Sequence, residues 1–391
     1  MKINQIQNFK YLTSFNYLII FLLLVMATYL SFVGGYGSDE DTVPMIEVFL
    51  NKLFGGVFIT SRFTGNPVAE IGIGFLSYFY GSFYANLVTF SLFIFGLIAF
   101  FFSFKEKNYF SLFILLCLSN PILYFDNIEP VDYSWAFFFY AVGLFLFKNK
   151  LFEFCIIFFG LAIGTRINFF LFIFFSILFF YDEEISLKKR LYIILSTLFV
   201  GCLFYLPIWY HSKFQFHWLT AGRPIEQGTV GLIYRFLYKS FYAFGGLSLI
   251  LLIFLYLKNY LKILKNKNFV FFITVIISNL LLFLWIPAEL SYLQLAIVVF
   301  LFFFVMNVSK KYVYLVIFLN FLSWAVNPQF LKIKYRYDGR CDAKQAISAN
   351  FTFKFEEGYY FKYLDTRDLI NCRSIGNPLK YENFKLVKPL K

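Results

Sequence analysis

The chain has 391 residues, of which 60% are hydrophobic and only 15% charged, with a mean hydropathy of +0.70. A soluble domain of that size could not bury so much apolar surface, and the apolar runs are too long and too uniform for the alternating strands of a membrane barrel, so the composition points to a polytopic helical membrane protein. The formal net charge of +13 would suggest nucleic acid in a soluble protein, but Lys and Arg accumulating on the cytoplasmic side of a membrane accounts for it, and no nucleic-acid partner is expected.

In chain order, residues 1–14 are polar and expected in the cytoplasm. The first apolar run, about 15–33, is long enough to span and lacks a small-residue cleavage site, so it is read as an anchor and not a signal peptide. The polar stretch from Gly34 to Glu70 follows, and the chain is organised around it. It carries the consecutive carboxylates Asp39, Glu40 and Asp41, a short amphipathic segment, Arg62, and a Gly65-Asn66-Pro67 turn ahead of Glu70. Residues 67–82 read as a juxtamembrane helix leading into a span at about 84–104.

The remaining spans are expected at 109–124, 133–147, 151–165, 167–181, 191–208, 243–257, 269–286, 291–306 and 312–326. A long outer loop separates the runs at 191–208 and 243–257. This gives about eleven spans, with the amino terminus inside and residues 327–391 outside. The orientation puts Lys148, Lys150, Lys188, Lys189, Arg190, Lys258, Lys265, Lys310 and Lys311 in inner turns, while carboxylates favour the outer loops. Two units are expected: a transmembrane module over 1–326, with its first outer loop at 34–70, and a small extracytoplasmic tail over 327–391. Cys341 and Cys372 are the cysteines in polar sequence. An oxidising compartment would let them pair and stabilise so small a core. Cys117, Cys155 and Cys202 lie in apolar runs and read as packing residues.

The chemistry concentrates at the outer membrane edge. Asp39, Glu40 or Asp41 could deprotonate an acceptor hydroxyl, and Asp39 with Asp41 could hold a divalent cation, Mg2+ or Mn2+. For any one of them a helix N-cap is the competing assignment. Arg62 suits bidentate contact with a phosphate, against a guanidinium snorkelling to lipid head groups. In the second outer loop, Asp126 and Glu129 suit a solvated turn, whereas Asp132 opens the next span and is costly there without a function. Arg166 stands at the outer end of two apolar helices, again as a phosphate contact or a snorkelling cation. His211 and His217 lack helical metal spacing. In the long fourth outer loop Arg223 is a substrate-contact candidate, as are Glu289 and Tyr292 near the last outer turn.

The order of these features resembles the GT-C superfamily of integral-membrane glycosyltransferases, which includes protein O-mannosyltransferases and the aminoarabinose transferases of lipid A. Asp39-Glu40 matches the acidic motif after the first span. Arg62, Gly65, Pro67 and Glu70 match an Arg-x-x-Gly-x-Pro-like turn and the residue after it. Asn120-Pro121 and Asp132 match the second outer loop, Gly160 to Arg166 a Gly-Leu-Ala-x-Gly-x-basic run, and Pro287, Tyr292 and Leu293 a late Pro-x-x-x-x-Tyr-Leu segment. The resemblance spans roughly 15–306 and leaves the tail unmatched. Val43 stands where an aromatic often follows the acidic pair, the late Tyr lacks a preceding Arg, and the Trp-Trp-Asp signature of oligosaccharyltransferases is absent. The resemblance implies an enzyme of the cytoplasmic membrane that moves a sugar from a polyprenyl-phosphate donor to a glycan, lipid or protein acceptor at the outer face. Asp39, Glu40, Asp41 and Asp132 would be catalytic; Arg62, Glu70, Arg166, Arg223, Glu289 and Tyr292 would bind substrate. A flippase or polymerase of lipid-linked oligosaccharides, and an envelope-assembly protein, are the rival readings.

Overall fold

The computed structural model describes residues 2–33, 35–36, 42–53, 55, 60–61, 65–104, 109–182, 184–211, 213, 229–285, 290–329, 332–337, 343–348 and 352–354. Asp39, Glu40, Asp41, Arg62, Arg223, Glu289, Cys341 and Cys372 lie outside the described residues.

The apolar runs form helices close to the expected bounds. Helix α1 is Lys2–Val33, and α2, Thr42–Leu53, is the amphipathic segment between Gly34 and Glu70. Helix α3, Pro67–Phe102, joins the expected juxtamembrane helix and the next span, with a break at Gly81 (φ 79, ψ −177). Then come α4 (Phe110–Ser119), α5 (Pro121–Phe125), α6 (Asp132–Lys148), α7 (Phe152–Thr165), α8 (Phe169–Phe179) and α9 (Leu187–His211). Helices α10 (Thr229–Ala243), α11 (Leu247–Lys258), α12 (Tyr260–Leu264), α13 (Phe269–Trp285), α14 (Gln294–Asn307) and α15 (Lys310–Ala325) complete the helical part. Apolar residues surround several of these helices, so they bury on more than one side. Helix α6 packs on α3 and α7, α7 on α9, and α2 on α3.

Two expectations need correction. The run at 109–124 is not one straight span: α4 and the segment after it meet at 89°. The reason is local. Pro121 has no N–H to continue the helix, and the Asn120 side chain instead accepts from Leu123 N at 3.1 Å, starting a new helix. The long connection before 243, expected as a loop, also holds α10, which meets α11 at 86° across Gly245-Gly246. Among the described residues, four helices are long and apolar enough to cross a membrane, or up to six if each bent pair is one span, and 152–165, 169–179 and 269–285 are shorter apolar helices. Helix length and composition therefore support a polytopic helical membrane protein without reaching the expected eleven spans.

One polar network ties the two bends together. Asn320 of α15 donates to Ser119 Oγ at 3.1 Å and accepts from Ser248 Oγ at 2.7 Å. Trp324 Nε1 donates to the Ser119 carbonyl at 2.8 Å, Ser323 Oγ to the Gly245 carbonyl at 3.1 Å, and Asn120 Nδ2 to the Ala243 carbonyl at 3.0 Å. Each bend exposes backbone carbonyls that a continuous helix would satisfy, and these side chains supply the missing donors.

At the opposite end of α6, α7 and α8, basic residues are anchored. Lys148 pairs with Asp182 at 3.0 Å, and Lys150 with Glu184. The buried Arg190 guanidinium donates to the carbonyls of Ile177, Phe180 and Asp182, closing the C-terminal end of α8.

The tail departs from the all-α expectation. Strand β1 (Asn327–Gln329) pairs antiparallel with β4 (Thr352–Lys354), and β2 (Lys332–Tyr337) with β3 (Ala343–Ser348), Lys332 opposite Ser348. Alternating residues such as Lys332-Ile333-Lys334-Tyr335 carry the two-residue period of a strand.

Candidate active site at one end of the bundle

The described members of the predicted set, Glu70, Asp132, Arg166 and Tyr292, meet at one end of the bundle. Asp132 occupies the first turn of α6, and Arg166 immediately follows α7. An acid at a helix N-terminus and a cation at a helix C-terminus each suit the local dipole. Because α6 and α7 are consecutive and antiparallel, those two termini lie side by side. Arg166 Nη1 reaches Asp132 Oδ1 at 2.8 Å, with Asp132 only 1% and Arg166 only 6% exposed. Asn66 Nδ2 donates to the other carboxylate oxygen at 2.6 Å. The Asp132 carboxylate thus has both oxygens engaged.

Two aromatic rings complete the guanidinium's surroundings. Its Cζ lies 3.6 Å from the centroid of the Tyr133 ring and 4.8 Å from that of Tyr292. The two rings meet edge to face, 5.3 Å between centroids. Cation–π contact of this kind is worth more where water is excluded. Tyr205 of α9 lies within electrostatic reach of Arg166, Glu70 and Asp132, and its hydroxyl donates to the Ile163 carbonyl at 2.8 Å.

Glu70 is fully buried, and its surroundings point to support of the turn more than to direct substrate contact. Its Oε1 accepts from Ser61 N at 3.1 Å, Ser61 Oγ at 2.7 Å and Asn66 N at 3.1 Å; its Oε2 pairs with Lys52 Nζ at 3.1 Å. Lys52 closes α2, so this carboxylate fastens the amphipathic helix to the start of α3. Pro67 occupies the first position of α3, where its missing N–H costs nothing. Gly65 has φ +67°, in the left-handed region that favours glycine, and a Cβ there would have to displace the tip of the Ile208 side chain. Asn66, read from sequence only as part of the turn, is the link between this turn and Asp132.

The loop between α5 and α6 is not the solvated turn expected for Asp126 and Glu129. Glu129 is buried, and Asp126 accepts from Ser291 Oγ at 3.0 Å. Asn127 Oδ1 accepts from Gln294 Nε2 at 3.0 Å and from Ser134 Oγ. These bonds tie the loop to the short helical turn Leu290–Leu293 and the start of α14, and so hold Tyr292 against Arg166. Asn66, Tyr133, Tyr205, Asn127 and Gln294 were not singled out from sequence; a polar side chain just beyond the end of an apolar run was the signal available for Asn66 and Asn127.

Among the described residues, no group of three or more His, Cys, Asp and Glu side chains could hold a metal ion. The cation pair suggested from sequence, Asp39 and Asp41, lies outside the described residues.

No protein-family model matches the sequence, and no curated protein is significantly similar to it. Among solved structures, the fold is similar to that of ArnT from Cupriavidus metallidurans bound to undecaprenyl phosphate, with a TM-score of 0.56 at 12% sequence identity. The match covers 75% of this chain and 61% of that one, so this chain spans less than two thirds of that protein's length, and what the two share is a polytopic helical fold.

Proposed function

We propose that the protein is a membrane glycosyltransferase that moves a sugar from a polyprenyl-phosphate donor to an acceptor at the outer face. The observation that carries the reading is the meeting of three sequence-distant motifs, the turn at 65–70, Asp132 and Arg166, in one buried cluster. The sequence resemblance to the GT-C superfamily names the same motifs. The fold likeness to ArnT, solved bound to undecaprenyl phosphate, supports the reading at the level of architecture. In this reading the chain crosses the cytoplasmic membrane about eleven times, with short and bent helices counted as spans. Residues 1–326 form the catalytic module and 327–391 an outer tail with a Cys341–Cys372 bridge.

The reaction needs a cation near the leaving phosphate and a carboxylate near the acceptor hydroxyl. Arg166 supplies a cation held in one orientation by Asp132, Tyr133 and Tyr292; Arg62 and Arg223 are further phosphate partners, and Glu289 a further substrate contact. Asp132, with both oxygens engaged, acts through Arg166 as a positioning residue. The base then falls to the acidic loop, to Asp39 first, with Asp41 or Glu40 supporting it or holding a divalent cation. The carboxylate takes the acceptor proton, the acceptor oxygen bonds to the anomeric carbon, and the bond from that carbon to the phosphate oxygen breaks. Polyprenyl phosphate leaves with the electron pair. Displacement in one step inverts the anomeric centre, by analogy with inverting hydrolases.

The test is sugar transfer from a polyprenyl-phosphate donor by Asp39→Asn and Asp41→Asn proteins that fold and insert normally. Loss of a general base typically lowers rate by about 100- to 10,000-fold, whereas loss of a helix cap costs about 1 kcal/mol of stability and spares the chemistry. Near-normal turnover in Asp39→Asn removes Asp39 as the base. Activity in both variants takes away the main residue-level support for the reading.

A further inference from the structure

Helix α14 begins beside Tyr292, near Arg166, and ends at Asn307, just before α15. At that far end two lysines share one aromatic ring. Lys258 Nζ lies 5.9 Å from the centroid of the Tyr312 ring, and Lys311 Nζ 4.9 Å from it. Lys258 is the last residue of α11, and Lys311 stands in the first turn of α15. The two helices pack on each other and run antiparallel, since Ser248 at the start of α11 bonds to Asn320 in the second half of α15.

The ring attracts each ammonium group, but the two like charges repel. Lys148 and Lys150 have carboxylate partners in Asp182 and Glu184; among the described residues, Lys258 and Lys311 have none. Lys311 also sits where a helix dipole disfavours a cation. An anion between the two ammonium groups relieves both costs.

The surface next to the lysines is apolar. On α11 the exposed Ile250, Phe254 and Leu257 lead up to Lys258; on α15 the exposed Leu315, Phe318 and Leu322 lead away from Lys311. Steps of three and four residues put each set on one helix face with its lysine. Because both lysines reach one ring, the two apolar stripes adjoin at their charged ends. Lys258 and Lys311 are themselves exposed.

We propose that this surface binds one anionic phospholipid, with its phosphate between Lys258 and Lys311 and an acyl chain along the stripes. A cation pair at the head of a lipid-facing stripe matches a molecule that carries its negative charge at the end of a hydrocarbon chain. A free phosphate would use the cations and leave the stripes without a role.

The experiment sets phosphatidylglycerol against phosphatidylcholine of equal acyl length on the full purified chain in detergent. Native mass spectrometry reads the ratio of the two one-lipid complexes. The wild-type chain should favour phosphatidylglycerol about tenfold or more. Lys258→Gln and Lys311→Gln should each lower the ratio about fivefold, the scale of one Lys beside an anionic lipid surface, and Lys258→Arg and Lys311→Arg should keep it. Lys188→Gln removes an exposed lysine from α9, which packs on α7 and α8, and should leave the ratio unchanged. An equal fall in Lys188→Gln overturns the proposal in favour of diffuse attraction by net charge. No preference in the wild-type chain, or an unchanged ratio in both Gln variants, overturns it outright. Displacement of phosphatidylglycerol by excess glycerol phosphate also overturns it, because the cations alone then hold the anion.

Discussion

Asp132 and Arg166 are 34 residues apart in sequence and form a buried ion pair of 2.8 Å between the start of one helix and the end of the next. The pair is fixed from three further directions, by Asn66 on the carboxylate and by the Tyr133 and Tyr292 rings on the guanidinium. Removing one member leaves an uncompensated buried charge, which costs about 3–5 kcal/mol, whereas replacing both with apolar residues of similar size is often tolerated. Arg166→Met and Asp132→Leu should each lower the unfolding midpoint of purified protein strongly, and the double variant should recover much of the loss. Transfer should be lost in all three. Simple additivity of the two losses would mean that the side chains do not interact as described.

Glu70 makes a different forecast from the substrate contact expected of it in sequence. With both oxygens engaged by Ser61, Asn66 and Lys52, its removal should act first on stability. Hydrogen bonds to a charged group are worth roughly 1.5–3 kcal/mol each, so Glu70→Ala should destabilise the protein by several times what an exposed substitution costs. Glu70→Gln keeps an acceptor for Ser61 and Asn66 and should lose less. Thermal unfolding in detergent compares the two. Wild-type stability in Glu70→Ala would return Glu70 to the role of a substrate contact.

The two helix bends are held by the Ser119, Asn320 and Ser248 chain of hydrogen bonds and by the carbonyl of Gly245. Gly245 has φ +96°, and a methyl group there would strike Ser248 Oγ and Asn320 Oδ1. Gly245→Ala should therefore destabilise the protein more than the roughly 0.5–1.5 kcal/mol expected for losing one ordinary hydrogen bond, approximated by Ser323→Ala. Chemical unfolding of both variants measures the difference. Equal effects would mean that the chain at 243–247 does not need the left-handed backbone.

The sequence made the helices legible because length and apolar composition dictate them: every expected apolar run from 133 onwards became a helix or part of one. The bends were harder to read. Asn120-Pro121 and Gly245-Gly246 are ordinary turn signals, but uniformly apolar flanks hid whether each marked a loop or a broken helix. At the site, charge near hydrocarbon drew attention to Asp132 and Arg166, since an ionised group there needs a partner. Which partner it has depends on the packing order of helices that carry little one-sided patterning. That is why the 34-residue connection to Arg166 and the 66-residue connection to Asn66 were not read.

The last prediction concerns which end of the bundle faces the cytoplasm. The pairs Lys148–Asp182 and Lys150–Glu184 join the turn after α6 to the turn after α8, so positions 150 and 188 must lie on one side of any membrane the bundle crosses. The site at Asp132 and Arg166 lies at the other ends of the same helices. By the positive-inside rule, the excess of Lys in the first set of turns predicts that end to be cytoplasmic. In a protein with Cys202, Cys341 and Cys372 replaced by Ser, single cysteines at 150, 188 and 265 should react with a membrane-impermeant maleimide only after permeabilisation. A cysteine at 350 should react in intact cells. The readouts separate two kinds of error. Opposite sidedness of 150 and 188 contradicts the helix ends themselves. Agreement of 150, 188 and 265 with one another but also with 350 leaves the bundle intact and removes one crossing, placing the basic tail inside, where an outer-face role for it fails.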